Sequence, residues 1–381
     1  MDYTHAPLAF KLRKALRYGR LYGPRRTIVK VRSQYHMQRR YRELPVRRSR
    51  MGPERHVAIL GCGTFAYSTI AYYLTRRCGP ILRAAMDVEV NRAASLFERY
   101  QLDYYTDDPE EVITDQAIDL IYIASNHASH AEYAIRALRE GKHVHIEKPH
   151  AVSTEQLRHL CDAMSEFPGR VTLGFNRTRS RIGREIKRYL GTQEGPAVYS
   201  WFIAGHAIPP DHWYFRPEEG GRVLGNLCHW TDFVYWLVPP DHRYPIAVRP
   251  TRADRSDSDL AVTYEFGDGT VAAITFSAKG HTFEGVKERF AAHRGDVLIT
   301  MDDFGSMTVD VGPRKHRIRS RFRDHGHEAS VLNSLRTVRP ELGPAEVCSQ
   351  AYAWGTGELF LTTRRALEES RQLILTPSGS P

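Results

Sequence analysis

A glycine turn at residues 61–66 is the first feature of the chain with recognisable chemistry. It has the sequence GCGTFA and follows a short apolar run. Gly61 permits a tight turn, and Gly63 lets the backbone approach a bound group closely. Thr64 and Phe65 open a predicted helix, whose free N–H groups and partial positive charge favour phosphate. The turn therefore predicts a binding site for the pyrophosphate of a dinucleotide.

Asp87 is a candidate for binding the adenosine part of the same dinucleotide. It lies twenty-one residues after Ala66, where a second apolar strand is predicted to end. A carboxylate there accepts hydrogen bonds from the ribose hydroxyls and repels a 2′-phosphate. No Arg follows Asp87 directly, so NAD is the predicted cofactor and NADP is less favoured. The alternative is a glycine turn with an unrelated surface Asp.

Three further blocks, taken with the glycine turn, resemble one known family. Residues 121–130 read IYIASNHASH, residues 137–149 read ALREGKHVHIEKP, and residues 220–232 read GGRVLGNLCHWTD. Over about residues 56–370 the chain is similar to the Gfo/Idh/MocA family of NAD(P)-dependent oxidoreductases. This family includes glucose–fructose oxidoreductase and inositol dehydrogenase. The resemblance implies an enzyme that acts on CH–OH groups of sugars or cyclitols.

The same resemblance implies which residues surround the cofactor beyond the glycine turn. The family usually has a proline at the end of this predicted strand, and in this chain Ser125 lies next to that position. The residues implied to contact the cofactor in these blocks are Ser125, Asn126, His130, Glu147 and Lys148.

Lys148 is the first candidate catalytic residue. It ends a predicted parallel strand, on the edge where open α/β sheets bind ligands. Pro149 follows it and disfavours helical backbone at Lys148. A lysine at this place can bind a substrate hydroxyl, stabilise a developing alkoxide or pass a proton. The resemblance implies this role, and the alternative is a surface lysine with a packed aliphatic stem.

His229 is the second candidate, as the acid/base that exchanges a proton with an alcohol or ketone. An imidazole suits this task near neutral pH. The family carries an Asp four residues before this His, but here that position is Gly225. Asn226 is polar without being able to carry a charge, and Asp232 lies one helical turn beyond. We expect the usual partner of His229 to be missing or supplied from elsewhere.

Polar and aromatic residues near these blocks are the predicted substrate contacts. Polar groups can bind hydroxyls, and aromatic faces can stack on sugar rings. The predicted contacts are Asn176, Arg177, Trp213, Tyr214, Asn226 and Asp232. Arg177 has three further arginines within seven residues, which suits a phosphate on the substrate. The alternative is a solvated helix face, and no metal site is predicted.

The elements that must position these residues change character along the chain. From residue 56 short apolar strands alternate with helices, which is typical of βαβ units and a parallel sheet. After about residue 170 the strands lengthen, and Gly267–Gly269 indicates a hairpin. We therefore expect an α/β Rossmann domain followed by an α+β domain with a large open, mostly antiparallel sheet. The expected segments are a basic arm (1–52), the Rossmann domain (53–170), the substrate and oligomerisation domain (171–344), and a helix with a tail (345–381) that packs back on the first domain.

Charge is concentrated at the N-terminus. Residues 1–50 hold fifteen Lys and Arg against two acidic residues, which is a net charge of +13, whereas the rest of the chain has −3. The arm is interpreted as lying on the protein's own surface, with contact to anionic lipid as an alternative. Nucleic acid is less favoured because the body offers no matching basic face, and an organellar transit peptide is a further possibility.

The sequence thus predicts an NAD-dependent oxidoreductase for a secondary alcohol of a sugar, sugar nucleotide or cyclitol. Five scattered cysteines without a CxxC motif and no long apolar stretch predict a cytoplasmic protein with reduced thiols. The resemblance implies a homodimer or homotetramer. Two alternatives stay open: NAD-dependent glycoside cleavage through transient oxidation, and a catalytically impaired NAD-binding scaffold suggested by Gly225.

Overall fold

The computed structural model describes residues 3–47, 54–205, 207–252, 259–280 and 285–377. The predicted boundary between the arm and the first domain, at residues 52 and 53, lies outside these ranges, as do the last four residues of the tail.

The arm folds into two helices that pack on the first domain. They are α1 (Leu8–Tyr22) and α2 (Pro24–His36), joined at Gly23, which has φ of +84°. His36 is 3% exposed; its Nε2 lies 2.7 Å from the Cys62 carbonyl oxygen, and its Nδ1 lies 2.9 Å from Ser95 Oγ. The arm therefore lies on the protein's own surface, where it touches the glycine turn.

Six parallel strands form the first sheet, in the spatial order β3-β2-β1-β4-β5-β6. They are β1 (Val57–Leu60), β2 (Leu82–Met86), β3 (Tyr104–Thr106), β4 (Leu120–Ile123), β5 (His143–Ile146) and β6 (Val171–Leu173). The central strands are buried along their whole length, as expected of a sheet covered on both faces. The strand order reverses between β1 and β4, and ligands of such sheets bind at this point. The predicted Rossmann fold is confirmed.

Helices cover both faces of this sheet. They are α3 (Ala71–Cys78), α4 (Val90–Tyr100), α5 (Pro109–Ile113), α6 (His130–Arg139) and α7 (Thr154–Glu166). A π-helical turn at Ala66–Ile70 joins the glycine turn to α3. Such turns occur often at functional sites, and nothing in the sequence pattern predicted this one.

The second sheet has nine strands in the order β14-β13-β12-β11-β7-β10-β9-β8-β15. They are β7 (Val198–Ala204), β8 (Ile246–Arg252), β9 (Leu260–Glu265), β10 (Val271–Ser277), β11 (Lys287–Arg294), β12 (Val297–Asp302), β13 (Ser306–Val311), β14 (Arg314–Arg319) and β15 (Leu373–Leu375). Among the strands of the described ranges that form this sheet, β7 and β10 are the one parallel pair. The hairpin predicted at Gly267–Gly269 connects β9 to β10 and is confirmed.

One face of the second sheet packs on helices and the other is open. Burial alternates residue by residue along β7 and β12, as a sheet with one solvated face requires. The remaining helices are α8 (Arg181–Leu190), α9 (Cys228–Leu237), α10 (His327–Leu335) and α11 (Gln350–Glu369). α11 packs against both α7 of the first domain and α9 of the second. Within the described ranges, no helix has the length and apolar character needed to cross a membrane.

Candidate active site

The glycine turn is shaped for close approach of a bound group. Gly61 has φ of +89°, and a Cβ on it would lie 2.4 Å from the backbone nitrogen of Ser125. Only glycine therefore lets the turn lie against the end of β4. A Cβ on Gly63 would have no heavy atom within 4 Å. Gly63 thus borders open space at the start of the helix, where a pyrophosphate fits.

Asp87 lies directly behind the turn, at the end of β2. It is 6% exposed, and its two carboxylate oxygens accept hydrogen bonds from the backbone nitrogens of Cys62 (2.7 Å) and Glu89 (2.9 Å). Burial raises the pKa of Asp87, although these two N–H groups act in the opposite direction. A carboxylate with remaining acceptor capacity beside an open glycine turn fits the adenosine ribose of NAD.

The cofactor contacts that the resemblance implies beyond the glycine turn lie at the ends of β4 and β5. His130 is buried, with Nδ1 2.8 Å from the Pro149 carbonyl oxygen and Nε2 3.2 Å from that of Ser125. Asn126 donates its amide N–H to Glu219 Oε1 at 2.7 Å, and Glu147 Oε1 lies 3.1 Å from His145 Nε2. His130 thus links the ends of β4 and β5 beside Lys148, whereas Asn126 bonds to Glu219 and Glu147 to its own strand.

Lys148 reaches across to the second domain. Its Nζ donates a hydrogen bond to the carbonyl oxygen of Gly225 at 2.7 Å. Burial lowers the pKa of Lys148, but the nearby Tyr214, Cys228 and Glu147 outweigh it, so the net change is upward. The side chain therefore carries a positive charge at neutral pH.

His229 is aimed into the same region without a partner of its own. A second π-helical turn, Val223–Leu227, precedes α9 and places His229 in the first turn of that helix. Its buried Nδ1 has no hydrogen-bond partner among the described residues, and the same holds for Asn226 Oδ1. Burial, followed by the charges of Arg177 and Lys148, lowers the pKa of His229 well below its ordinary value. The ring is therefore neutral at pH 7 and able to accept a proton.

The position of the missing Asp is filled by aromatic rings. A Cβ on Gly225 would lie 2.6 Å from Tyr214 Cε2 and 2.8 Å from His127 Cε1. The Tyr214 and His127 rings are 4.8 Å apart, and Trp213 lies 4.8 Å from His127. An Asp side chain at position 225 would therefore collide with this cluster. The sequence singled out Trp213 and Tyr214, whereas His127 was missed.

Arg177 has a contact that the sequence did not predict. Its guanidinium makes two hydrogen bonds to the buried Glu288, at 2.8 and 2.6 Å, and lies 4.8 Å from the Trp230 ring. Trp230 Nε1 donates to the same carboxylate at 2.8 Å. Arg179 and Arg184 pair with Glu346 instead. Arg177 is thus paired within the protein, and Arg179 and Arg184 share one carboxylate, which weakens the reason to expect a substrate phosphate there.

Two other predicted substrate residues are buried and bonded to other parts of the protein. Asn176 is 3% exposed and donates to the carbonyl oxygen of His325 at 2.6 Å. Asp232 is 1% exposed and accepts from Tyr352 Oη (2.8 Å) and Thr356 Oγ1 (3.0 Å), which ties α9 to α11. Burial raises the pKa of Asp232 to about 7. No bond from Asp232 to His229 is present in the described structure.

Comparison with known proteins agrees with this combination of Rossmann sheet, glycine turn and open second sheet. Residues 55–175 match the model of the Gfo/Idh/MocA oxidoreductases, described as an oxidoreductase family with an NAD-binding Rossmann fold. A crystal structure of levoglucosan dehydrogenase with NADH and levoglucosan has a TM-score of 0.72 and 17% identity. The match covers 85% of this chain and all of that one. Residues 55–175 thus form an NAD-binding Rossmann domain of the Gfo/Idh/MocA type, and the chain as a whole shares its fold with levoglucosan dehydrogenase.

Two curated relatives indicate how far the likeness extends in sequence. The scyllo-inositol 2-dehydrogenase (NAD(+)) of Bacillus subtilis strain 168 is 24% identical over 250 residues, which is 64% of this chain and 72% of the relative. The D-glucoside 3-dehydrogenase of Escherichia coli strain K12 is 35% identical over 106 residues, which is 28% of this chain and 30% of the relative. The second match spans less than a third of either protein.

Proposed function

We propose that this protein oxidises a secondary alcohol of a sugar, sugar nucleotide or cyclitol with NAD, or catalyses the reverse reduction. The proposal rests on the hydrogen bond from Lys148 Nζ to Gly225 O. This bond joins the end of a strand in the cofactor domain to the segment that leads into the helix of His229. A cation and a neutral imidazole at one domain junction, next to an open dinucleotide turn, are the groups that alcohol oxidation needs.

Each residue has a distinct task in this proposal. Gly61, Gly63 and Asp87 would hold NAD, which supplies the hydride acceptor when bound. The substrate hydroxyl lies between Lys148 and His229. As the carbinol C–H bond breaks with its electron pair, His229 takes the hydroxyl proton and the Lys148 ammonium stabilises the developing negative charge. In the reductive direction His229 returns the proton.

Tyr214 takes the place of the family's Asp in this account. Its ring occupies the space in front of Gly225, and its proximity acts to raise the pKa of Lys148. We infer that the phenol hydroxyl and Lys148 bind one substrate oxygen together, and that Trp213 supplies an apolar wall for the ring of the substrate. The absence of an Asp therefore reflects replacement and not loss of function.

The substrate class rests on the relatives. Those reported above are named as dehydrogenases of an inositol, a glucoside and levoglucosan, which favours net oxidation over glycoside cleavage and over a scaffold. Because Arg177 is held by the buried Glu288, it is not free to bind a phosphate, which favours an uncharged polyol over a phosphorylated sugar.

The open face of the second sheet supports a homodimer or homotetramer. Val198 (55%), Phe202 (50%), Val271 (40%) and Leu298 (46%) are exposed on that face. A patch of this kind usually marks a protein interface. We propose a cytoplasmic oligomer that pairs through this face, with the basic arm as the part that meets a membrane surface or a partner. Phe202→Arg should lower the mass measured by analytical ultracentrifugation, and an unchanged mass would contradict this interface.

The direct test of the activity is NADH formation. The purified full chain is incubated with NAD and a panel of inositols, glucosides, anhydrosugars and nucleotide sugars, and absorbance of NADH is followed. Stoichiometric NADH with at least one polyol supports the proposal. Product formation from a glycoside without NADH would establish cleavage through transient oxidation instead.

A further inference from the structure

The outer side of α1 carries an apolar stripe. Leu8, Leu12 and Leu16 are 71%, 57% and 67% exposed. They are spaced four residues apart, so their side chains lie one above another on one face of the helix. Single exposed leucines are common on protein surfaces, but three in register on one helix indicate an interaction surface.

α2 repeats the arrangement on the second helix of the arm. Ile28, Val31 and Tyr35 are 52%, 44% and 55% exposed, and their spacing of three and four residues also gives one face. The opposite face of α2 holds the buried Val29, Ser33 and His36, which anchor the arm on the body. The orientation of the exposed face is therefore fixed by packing.

The charge beside these stripes has a single sign. The sequence holds no Asp or Glu from residue 3 to residue 42, whereas the two helices contain nine Lys and Arg. Arg13 and Arg20 on α1, and Arg25 and Arg32 on α2, are exposed. An apolar stripe flanked by cations without acids is typical of helices that lie in the interface of an anionic bilayer.

The body adds a basic edge next to the arm. β14 is an edge strand of the second sheet, and its exposed residues include Arg314, Lys315, Arg317 and Arg319. The backbone nitrogen of Arg323, four residues after β14, donates to the carbonyl oxygen of Leu21 at 2.8 Å, near the end of α1. The expectation that the body offers no basic face is wrong at this edge.

We propose that the arm is a docking surface for an anionic lipid bilayer, on which α1 and α2 lie with their apolar stripes inserted between headgroups. Nucleic acid would use the arginines but not the exposed leucines. A second copy of the chain is disfavoured because two arms, each strongly positive, repel one another. A bilayer with anionic lipid can bury the apolar stripes between its headgroups and also attract the positive charge of the arm. No exposed residue of this surface has a task in the proposed reaction, so the inference is independent of that reaction.

Co-sedimentation of the full chain with vesicles tests this directly. We expect binding to vesicles of phosphatidylcholine mixed with phosphatidylglycerol and little binding to phosphatidylcholine alone. The variant Leu8→Ser/Leu12→Ser/Leu16→Ser and the variant Arg13→Glu/Arg20→Glu should each weaken the vesicle partition coefficient about tenfold or more. NADH formation by both variants should equal that of the wild type.

Matched controls alter exposed residues of the same kinds outside the arm. Leu342→Ser/Val347→Ser/Ile374→Ser removes three exposed apolar side chains, and Arg158→Glu/Arg365→Glu reverses two exposed charges on helices α7 and α11. Both controls should bind vesicles like the wild type, and circular dichroism should confirm that all variants fold. Absence of vesicle binding would overturn the proposal. So would binding that the Leu variant leaves unchanged, or a change of oligomer mass in the Leu variant without vesicle binding.

Discussion

Lys148 Nζ donates a hydrogen bond to the carbonyl oxygen of Gly225 at 2.7 Å, which places the strand end of the first domain against the helix of the second. The packing around this contact requires the residue at position 225 to leave room for the rings of Tyr214 and His127. Glycine does so, whereas the Asp usual in the family would not. The departure from the family motif and the cross-domain hydrogen bond are therefore parts of one arrangement.

Gly225→Asp tests this arrangement. The added Cβ would lie 2.6 Å from Tyr214 Cε2, so we expect lower turnover and a lower melting temperature. Tyr214→Ala removes the closer of the two collisions and leaves His127 Cε1 at 2.8 Å, so the double variant should recover part of the activity because the Asp then supplies the missing polar group. Full activity of Gly225→Asp alone would contradict the packing described here.

Tyr214→Phe separates the hydroxyl of Tyr214 from its ring. The ring still fills the space at Gly225, so the thermal stability should stay within about 1 kcal/mol of the wild type. If the hydroxyl helps to bind the substrate oxygen, kcat/KM should fall by roughly tenfold or more. Unchanged kinetics would leave Tyr214 as a space-filling residue only.

The pH dependence follows from His229. Burial and the nearby charges of Arg177 and Lys148 lower its pKa well below 6.5, and the neutral ring is the form that accepts the proton. In the oxidative direction kcat/KM should therefore be constant downward from neutral pH and decline only well below pH 6.5, the ordinary pKa of an imidazole. Arg177→Gln should move this decline to higher pH. If the pH profile of kcat/KM declined around a midpoint above pH 7, and His229→Gln abolished that decline, this assignment would be wrong.

Cofactor choice depends on Asp87. Asp87→Asn keeps an oxygen that can accept from the Cys62 N–H but removes the negative charge. We expect NAD to bind several-fold more weakly and the preference for NAD over NADP to shrink by about tenfold, because a 2′-phosphate is no longer repelled. Fluorescence titrations with NADH and with NADPH measure the two affinities and therefore their ratio. An unchanged ratio of the two affinities would exclude Asp87 as the discriminating residue.

The arm should stabilise the glycine turn of the cofactor site in addition to binding a bilayer. His36→Ala leaves a cavity and removes a bond to the Cys62 carbonyl oxygen, so the free energy of unfolding should fall by about 2 kcal/mol. Binding of NAD should weaken in parallel because Cys62 belongs to the turn. Lys11→Ala on α1, away from this contact, is the control and should behave like the wild type. If removal of residues 1–50 changed neither property, this coupling would be refuted.

Much of this architecture was predictable from the sequence, because it depends on local patterns. Continuous apolar runs such as Leu120–Ile123 identify buried parallel strands, and the glycine turn with Asp87 identifies the cofactor. Contacts between distant segments were not predictable. Glu288 neutralises Arg177 across 111 residues, and His36 reaches Cys62 from the arm. Pairs of this kind depend on tertiary packing, which single-sequence periodicity does not encode.

The most direct test of the central claim compares the wild type with Lys148→Ala and Lys148→Arg in the NADH assay. The account predicts NADH formation with at least one sugar or cyclitol, and a loss of about a hundredfold or more in kcat for Lys148→Ala. Affinity for NAD, measured by calorimetry, should stay near the wild-type value, and Lys148→Arg should retain more activity than the Ala variant. Near-normal turnover of Lys148→Ala would contradict the proposed role of Lys148. Binding of NAD without oxidation of any polyol in the panel would contradict the proposed reaction.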